Sequence, residues 1–131
     1  MEAGLQIEGW TEEIRDDLNG VRIQFGRDRA GVYYELLEPL DETSPVYVAL
    51  KTGRGILNHV AYRVRDLEAH SSRMRAGGWL PTGMPKPAIA YGGRLIQFFV
   101  SPIRLIVEII EAWDHEHILI QPPEATGDTR A

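Results

Sequence analysis

The stretch from Leu57 to Val64, in the middle of the chain, is mostly apolar and rich in β-branched and aromatic residues, and this pattern predicts a β-strand. Alternation places His59 and Arg63, with Ala61 between them, on one face of that strand. The other face is mostly apolar and should meet a helix; its members are Asn58, Val60, Tyr62 and Val64. Asp66 follows as a predicted N-cap for a helix that runs to Met74 or Ala76 and ends at Gly77.

Three strands are predicted before this point: a weakly alternating segment over residues 5–14, then Val21–Phe25, then Val32–Leu37. Asn19-Gly20 is a strong turn signal between the first two. The opening third of the chain therefore reads as an antiparallel meander. A short helix or turn is predicted next over Val46–Leu50, because Ser44 can cap a helix there and proline suits its first position.

After the central helix, the pattern predicts a short extended piece at Trp79–Pro81 and a loop over residues 82–90. Two strong strands follow at Leu95–Val100 and Arg104–Ile110. The second half thus reads β-α-β-β-β, and its last three strands repeat the architecture of the first third. The fold class that these elements indicate is α+β.

Two of the strands carry a carboxylate among apolar neighbours. Glu35 shares its face with Tyr33 and Leu37, and Glu108 shares its face with Ile106 and Ile110. A buried carboxylate needs a cation as partner, so the two glutamates and His59 would suit a divalent metal if they converge. The alternative is that each glutamate pairs with an arginine or points to solvent at a strand edge.

The amino-acid composition excludes several classes of function but does not identify one. The 131 residues suit one domain with its own core, and a net charge of -5 argues against nucleic-acid binding. The chain has no cysteine, which excludes disulfides, thiolate zinc sites and cysteine nucleophiles. No segment predicts a membrane span or a signal peptide, so the expected location is the cytoplasm.

Several stretches together resemble the vicinal-oxygen-chelate superfamily, the group of glyoxalase I and methylmalonyl-CoA epimerase. The matching stretches are residues 34–40, 44–46, 55–67, 86–87, 92–98 and 105–111. The resemblance implies paired βαβββ modules, the glyoxalase/bleomycin-resistance fold. It makes residues 1–111 a single domain, with a first module truncated to the meander of residues 5–40, a second module at 55–111, and a C-terminal tail at 112–131.

The resemblance also implies a metal site whose ligands are Glu35, His59 and Glu108, holding Co, Ni, Mn, Fe or Zn. The implied activity is that of an isomerase, epimerase or lyase, in which Glu108 acts as the base. The substrate would be a small 2-oxo or 2-hydroxy compound or an acyl thioester, such as one of CoA or glutathione. Candidate substrate-binding residues are Arg94, Gln97 and Tyr33, and members are commonly homodimers.

The chain departs from the family pattern at two places. The first strand and helix of the first module, which bring a fourth ligand, have no counterpart before Glu35, so the expected explanations are a truncation or a misassigned start. A second acid that epimerases use would fall near Ile23, which is apolar. These departures keep open a non-catalytic binding module, or a degenerate member without metal. His115 and His117 are further possible ligands in the tail.

Overall fold

The structure is a computed structural model, and it describes residues 2–54 and 59–120. Within these residues there are four helical segments: α1 (Glu2–Leu5), α2 (Tyr47–Thr52), α3 (Leu67–Ala76) and a 3-10 helix (Ile89–Tyr91). The strands are β1 (Ile7–Thr11), β2 (Ile14–Asp16), β3 (Val21–Asp28), β4 (Tyr33–Pro39), β5 (Val60–Arg63), β6 (Leu80–Pro81), β7 (Lys86–Ala88), β8 (Arg94–Val100), β9 (Ile106–Ile110) and β10 (Leu119–Ile120).

The chain divides into two compact units. The first unit is formed by residues 1–47 with 117–131, and the second by residues 48–116. Both contain few helices and mostly antiparallel strands, which confirms the predicted α+β class. Among the described residues, no helix is long and apolar enough to cross a lipid bilayer.

The first unit is a sheet built around β3. This strand pairs antiparallel with β1, β2 and β4, and β1 pairs in turn with β10. Val21, Ile23 and Phe25 alternate along β3 and are each at most 5% exposed, so one face of the strand is buried. Trp10 lies against the backbone of Gly26, where a side chain would not fit. The predicted meander is therefore present, with β2 and β10 added to it.

The second unit runs in the predicted order of strand, helix and strands. β5 pairs parallel with β9, and β8 pairs antiparallel with β9, β6 and β7. One face of this sheet is covered by α3. The core between them consists of Val64, Leu67, Phe99, Val107 and Ile109, with Met74 and Trp79 packed against it.

Helix α3 begins and ends where its sequence predicts. The side chain of Asp66 accepts a hydrogen bond from the backbone N–H of Ala69 at 3.0 Å, which satisfies a donor that the helix itself leaves unpaired. At the other end, the backbone N–H of Gly77 donates to the carbonyls of Arg73 and Met74. The capped ends fix the helix over the sheet that carries His59 and Glu108.

Some expectations about the second unit were wrong. The predicted loop over residues 82–90 contains β7 and most of the 3-10 helix. The strand forms because Lys86–Ala88 pair with residues of β8 despite the proline between them. Val60 and Tyr62 are 51% and 58% exposed instead of covered by a helix. The reason is position, since β5 is the outermost strand of its sheet and α3 contacts the strands further in.

The C-terminal segment also differs from the predicted tail. Residues 112–116 belong to the second unit, and Leu119–Ile120 form a strand of the first. Trp113 is 57% exposed. The division at residue 111 and the truncated first module stay predictions. Leu57, Asn58 and the segment 122–131 lie outside the described residues.

Candidate metal centre

The second unit brings His59 and Glu108 together. Nε2 of His59 lies 2.8 Å from Oε2 of Glu108, and the two side chains are 15% and 6% exposed. The two residues are 49 positions apart in sequence, so only the tertiary fold joins them. A buried carboxylate and an imidazole therefore point at one place, as the pattern of the two strands predicted.

Strand register explains why these two side chains meet. Glu108 lies beside Ala61 in the parallel pair β5–β9 and opposite Phe98 in the antiparallel pair β8–β9. Cross-strand neighbours share a face, so Glu108, Ala61 and Phe98 lie on the face away from α3. His59 precedes β5 in the same alternation, and its ring packs edge-on to that of Phe98, with 4.9 Å between the centroids. The small Ala61 leaves room for the larger groups on either side.

The pair has the chemistry of a metal site. Imidazole nitrogen and carboxylate oxygen are ligands for divalent first-row metals at about 2.0–2.2 Å, which places neighbouring ligand atoms about 3 Å apart. The observed 2.8 Å between Nε2 and Oε2 fits that spacing. The same contact is also a good hydrogen bond, so the pair is satisfied without a metal.

Glu35 belongs to the first unit. It lies on β4 directly opposite Phe25, with Tyr33 and Leu37 on the same face. The sequence led us to expect a carboxylate in a strand fit for burial, but Glu35 is exposed and Leu37 is 38% exposed. This face of β4 is therefore accessible within its own unit. The role of Glu35 as a third ligand stays a prediction.

The three candidate substrate-binding residues lie in different surroundings. The Arg94 guanidinium donates to Oδ1 of Asp114, so its charge already has a carboxylate partner. Gln97 is 2% exposed, shares its sheet face with Ile109 and Phe99, and donates from Nε2 to the Gly83 carbonyl at 3.1 Å. That face is the one under α3, away from Glu108. Tyr33 lies on the Glu35 face of β4.

The ring of His117 lies against the face of the first unit that carries Glu35. It stacks on Phe25 at 3.8 Å between centroids and meets Tyr33 edge-on at 4.9 Å. These are the cross-strand partner of Glu35 and the residue two positions before it. The sequence signal was the His-x-His pair of the tail, but nothing in the local pattern indicated that the segment returns to β3.

The Asp114–His115 turn has distinct electrostatics. Burial lowers the pKa of the His115 imidazole, and the positive charges of Arg63 and Arg94 lower it further, against the opposing effect of Asp114. The hydrogen bond from Arg94 lowers the pKa of Asp114. The ring of His115 also meets Tyr91 edge-on at 5.1 Å. At neutral pH this histidine is accordingly held in its neutral form.

Comparison with known proteins identifies the superfamily of the chain. The profile of the Glyoxalase/Bleomycin resistance protein/Dioxygenase superfamily matches residues 2–98, a stretch that includes Glu35 and His59. The chain belongs to this superfamily. The resemblance read from the sequence and its glyoxalase/bleomycin-resistance fold are thereby confirmed. A comparison with curated protein sequences gave no match.

Solved structures show the same fold. A hypothetical protein, BH1468 from Bacillus halodurans C-125, is 24% identical with a TM-score of 0.72, covering 89% of this chain and 84% of that one. Methylmalonyl-CoA epimerase from Mycobacterium tuberculosis is 25% identical with a TM-score of 0.64, covering 83% and 73%. A variant of the Streptomyces coelicolor methylmalonyl-CoA epimerase, in complex with 2-nitronate-propionyl-CoA, is 24% identical with a TM-score of 0.64, covering 89% and 85%.

Proposed function

We propose that the protein is a metal-dependent isomerase or epimerase that moves a proton on the carbon next to the carbonyl of a small acyl thioester. The observation that carries the proposal is the buried contact between His59 and Glu108. Support comes from the superfamily match and from the similarity to methylmalonyl-CoA epimerases. A lyase acting on a glutathione thioester is the second member of this reaction class.

In the proposal the metal ligands are Glu35, His59 and Glu108, with Co, Ni, Mn, Fe or Zn as the ion. A divalent ion held by these residues would supply positive charge able to stabilise an enolate. His59 holds its ring towards that position through the edge-on contact with Phe98. Glu108, shielded from water at 5% exposure, is the carboxylate that removes and returns the proton.

A single base has a stereochemical consequence. Ile23, at the position expected for a second acid, is 4% exposed and pairs with Leu37 on β4. An apolar side chain there has no proton to deliver. We therefore expect proton exchange to be faster than inversion of configuration, because the same carboxylate takes and returns the proton.

The test combines metal content with isotope exchange. Purified protein is analysed for bound metal and is incubated in D2O with methylmalonyl-CoA, propionyl-CoA and the hemithioacetal of glutathione. The proposal expects one bound divalent ion per chain and deuterium incorporation that Glu108→Gln abolishes. Protein that holds no ion after metal loading, or that incorporates no deuterium with any of the three, would contradict it.

A specific observation favours one alternative, a metal-free binding protein of the drug-resistance kind. The direct His59–Glu108 hydrogen bond already satisfies both buried groups, so the fold does not need an ion for its stability. Such a protein would bind small molecules with unchanged affinity after chelation by EDTA. The metal-dependent enzyme would lose binding or exchange under the same treatment.

The oligomeric state is part of the proposal. In the part of the chain that the structure describes, β4 pairs with β3 and no strand pairs with its other side. Exposed sheet edges favour pairing with another chain, and members of the superfamily are commonly dimeric. We expect a homodimer in the cytoplasm, measured as twice the chain mass by light scattering. A monomer at micromolar concentration would remove this part of the proposal.

A further inference from the structure

The C-terminal strap, which we define as residues 117–120, belongs to the first unit and brings a histidine to the face that carries Glu35. We propose that His117 is a positioning residue for Glu35. Its ring holds the two neighbours of the carboxylate and so limits the directions in which Glu35 can point. The inference rests on the proposed function, because only there is Glu35 a metal ligand.

The strap is seated on β1 by backbone pairing and by one side chain. β10 pairs antiparallel with β1. Leu119 packs on the backbone of Gly9, where an added β-carbon would lie 2.9 Å from Cδ1 of Leu119. Ile118 is 86% exposed whereas His117 and Leu119 are half-buried, so the latter two side chains face the sheet. The pairing of the strap with β1 therefore determines where His117 lies.

Two aromatic rings of the sheet hold the imidazole of His117. It stacks on the Phe25 ring with 3.8 Å between the centroids and 22° between the planes. It also meets the Tyr33 ring edge-on at 4.9 Å. Contacts of two different geometries restrict the tilt of the imidazole as well as its position. The ring of His117 is thus a fixed wall on this face of the first unit.

Strand register places Glu35 beside both of these rings. Phe25 lies directly opposite Glu35 in the β3–β4 pair, and Tyr33 is two residues before Glu35 on β4. Residues two apart on a strand share a face, and diagonal neighbours across two strands lie about 7–8 Å apart. Phe25, Tyr33 and Glu35 therefore form a triangle on one face. His117 contacts two of its corners, so the Glu35 side chain cannot lean into the space between them.

This restriction matters because Glu35 is exposed. An exposed glutamate rotates about several side-chain bonds, and fixing it in the orientation that a metal requires costs conformational entropy. Neighbours that already exclude some rotamers lower that cost before an ion binds. Groups behind a metal ligand raise affinity in this way, by holding the ligand in its binding orientation.

The affinity for Co²⁺, measured by competition with a chelating dye, tests the proposal. His117→Ala removes the ring and should weaken binding by about 10–100-fold, the range for loss of a group behind a ligand. His117→Phe keeps a flat ring without a nitrogen and should bind Co²⁺ like the parent protein. Equal losses in both variants would make His117 a ligand itself and would overturn the positioning role. His70→Ala is the matched control, because it removes an imidazole from α3 in the second unit, and it should bind normally.

The coupling between the two residues distinguishes positioning from a general effect on stability. In Glu35→Gln protein, His117→Ala should cause no further loss of affinity, because it acts through Glu35. A further loss of the same size would overturn the proposal. Should His117→Ala fail to fold, Leu119→Ala decides, because it removes the side chain over Gly9 and loosens the strap. It should also weaken Co²⁺ binding, and an unchanged affinity would overturn the proposal.

Metal-free protein separates this inference from the proposed function. Three-bond couplings measured by NMR report the χ1 rotamers of Glu35. One dominant rotamer is expected in the parent protein and an average of several in His117→Ala. Averaging in both proteins would overturn the positioning role even if an ion binds. One rotamer in a parent protein that holds no ion after metal loading would contradict the proposed function alone.

Discussion

His59 and Glu108 touch through Nε2 and Oε2 at 2.8 Å, on the sheet face opposite helix α3. A metal bound by both residues would lie beside this contact in the second unit. A variant that tests the metal site must therefore change one of these two side chains. Each of the two residues therefore has two possible roles: it is the hydrogen-bond partner of the other, and it is a candidate metal ligand.

Glu108→Gln should abolish tight metal binding while it preserves the fold. The amide keeps the size of the carboxylate and a hydrogen-bonding oxygen but loses the charge that attracts a divalent ion. The loss of affinity should exceed the roughly 10–100-fold that follows loss of a group behind a ligand. Competition with a chelating dye measures it, and Glu116→Gln, which changes an exposed glutamate of the same unit, should bind metal normally.

His59→Ala should reduce stability as well as metal binding. It leaves the carboxylate of Glu108 buried at 5% exposure without its imidazole, which costs about 1–3 kcal/mol. Urea denaturation of metal-free protein measures this loss. If the metal-free variant is as stable as the metal-free parent, the contact contributes nothing to folding.

Glu35→Gln tests whether Glu35 is the third metal ligand, a role that the fold alone does not assign. Because Glu35 is exposed, the substitution should change stability by less than about 0.5 kcal/mol. Metal affinity should nevertheless fall. Glu38→Gln on the same strand is the control, since Glu38 forms only an exposed ion pair with Arg22 at 2.9 Å. Equal metal affinity in both variants would remove Glu35 from the site.

Phe99→Ala should destabilise the protein by about 3–5 kcal/mol, because it removes a fully buried ring from the core beneath α3. Leu95→Ala on the same strand should cost much less, since Leu95 is 39% exposed. The midpoint of urea unfolding distinguishes them. Similar midpoints for the two variants would mean that the cluster around Phe99 is not the core of the second unit.

Gly26→Ala should destabilise the first unit by about 1–3 kcal/mol through overpacking. A β-carbon there would lie 2.7 Å from Cζ3 of Trp10, well inside contact distance. Gly83→Ala is the control, because a β-carbon at that position meets nothing within 4 Å. Thermal unfolding followed by tryptophan fluorescence compares the two, and equal melting temperatures would contradict the packing of Trp10 on β3.

Stability should fall with acid through His115. Burial lowers the pKa of this imidazole below its ordinary value of 6.5, so the unfolded chain binds the proton more readily than the folded one. The contribution is complete above pH 6.5 and is lost as the pH falls below it. His115→Asn should flatten the slope of melting temperature against pH below this value. An unchanged slope would mean that His115 is not responsible.

Local sequence predicted most of the second unit because its signals are short-range. Alternation defined β8 and β9, and Asp66 with Gly77 defined the ends of α3. The same alternation placed His59 and Glu108 on matching faces, and register brought them together. By contrast, the burial of Glu35 was misjudged, because apolar neighbours along a strand do not reveal whether another layer covers it.

Long-range features escaped the sequence pattern for a related reason. The pairing of Leu119–Ile120 with β1 and the stacking of His117 on Phe25 join residues about ninety or more positions apart, and no local spacing encodes them. The contact of Arg65 with Trp113 was missed similarly, because only the fold brings the guanidinium carbon within 5.0 Å of the ring centre.

The parallel pairing of β5 with β9 sets the order in which the site can appear during synthesis. The strands between β5 and β9 are synthesised before Glu108 leaves the ribosome, because Glu108 follows His59 by 49 residues. A nascent chain that stops short of β9 holds half of the pair at an unpaired strand. The contact between His59 and Glu108 is consequently a late event, which forms only after β9 has been translated.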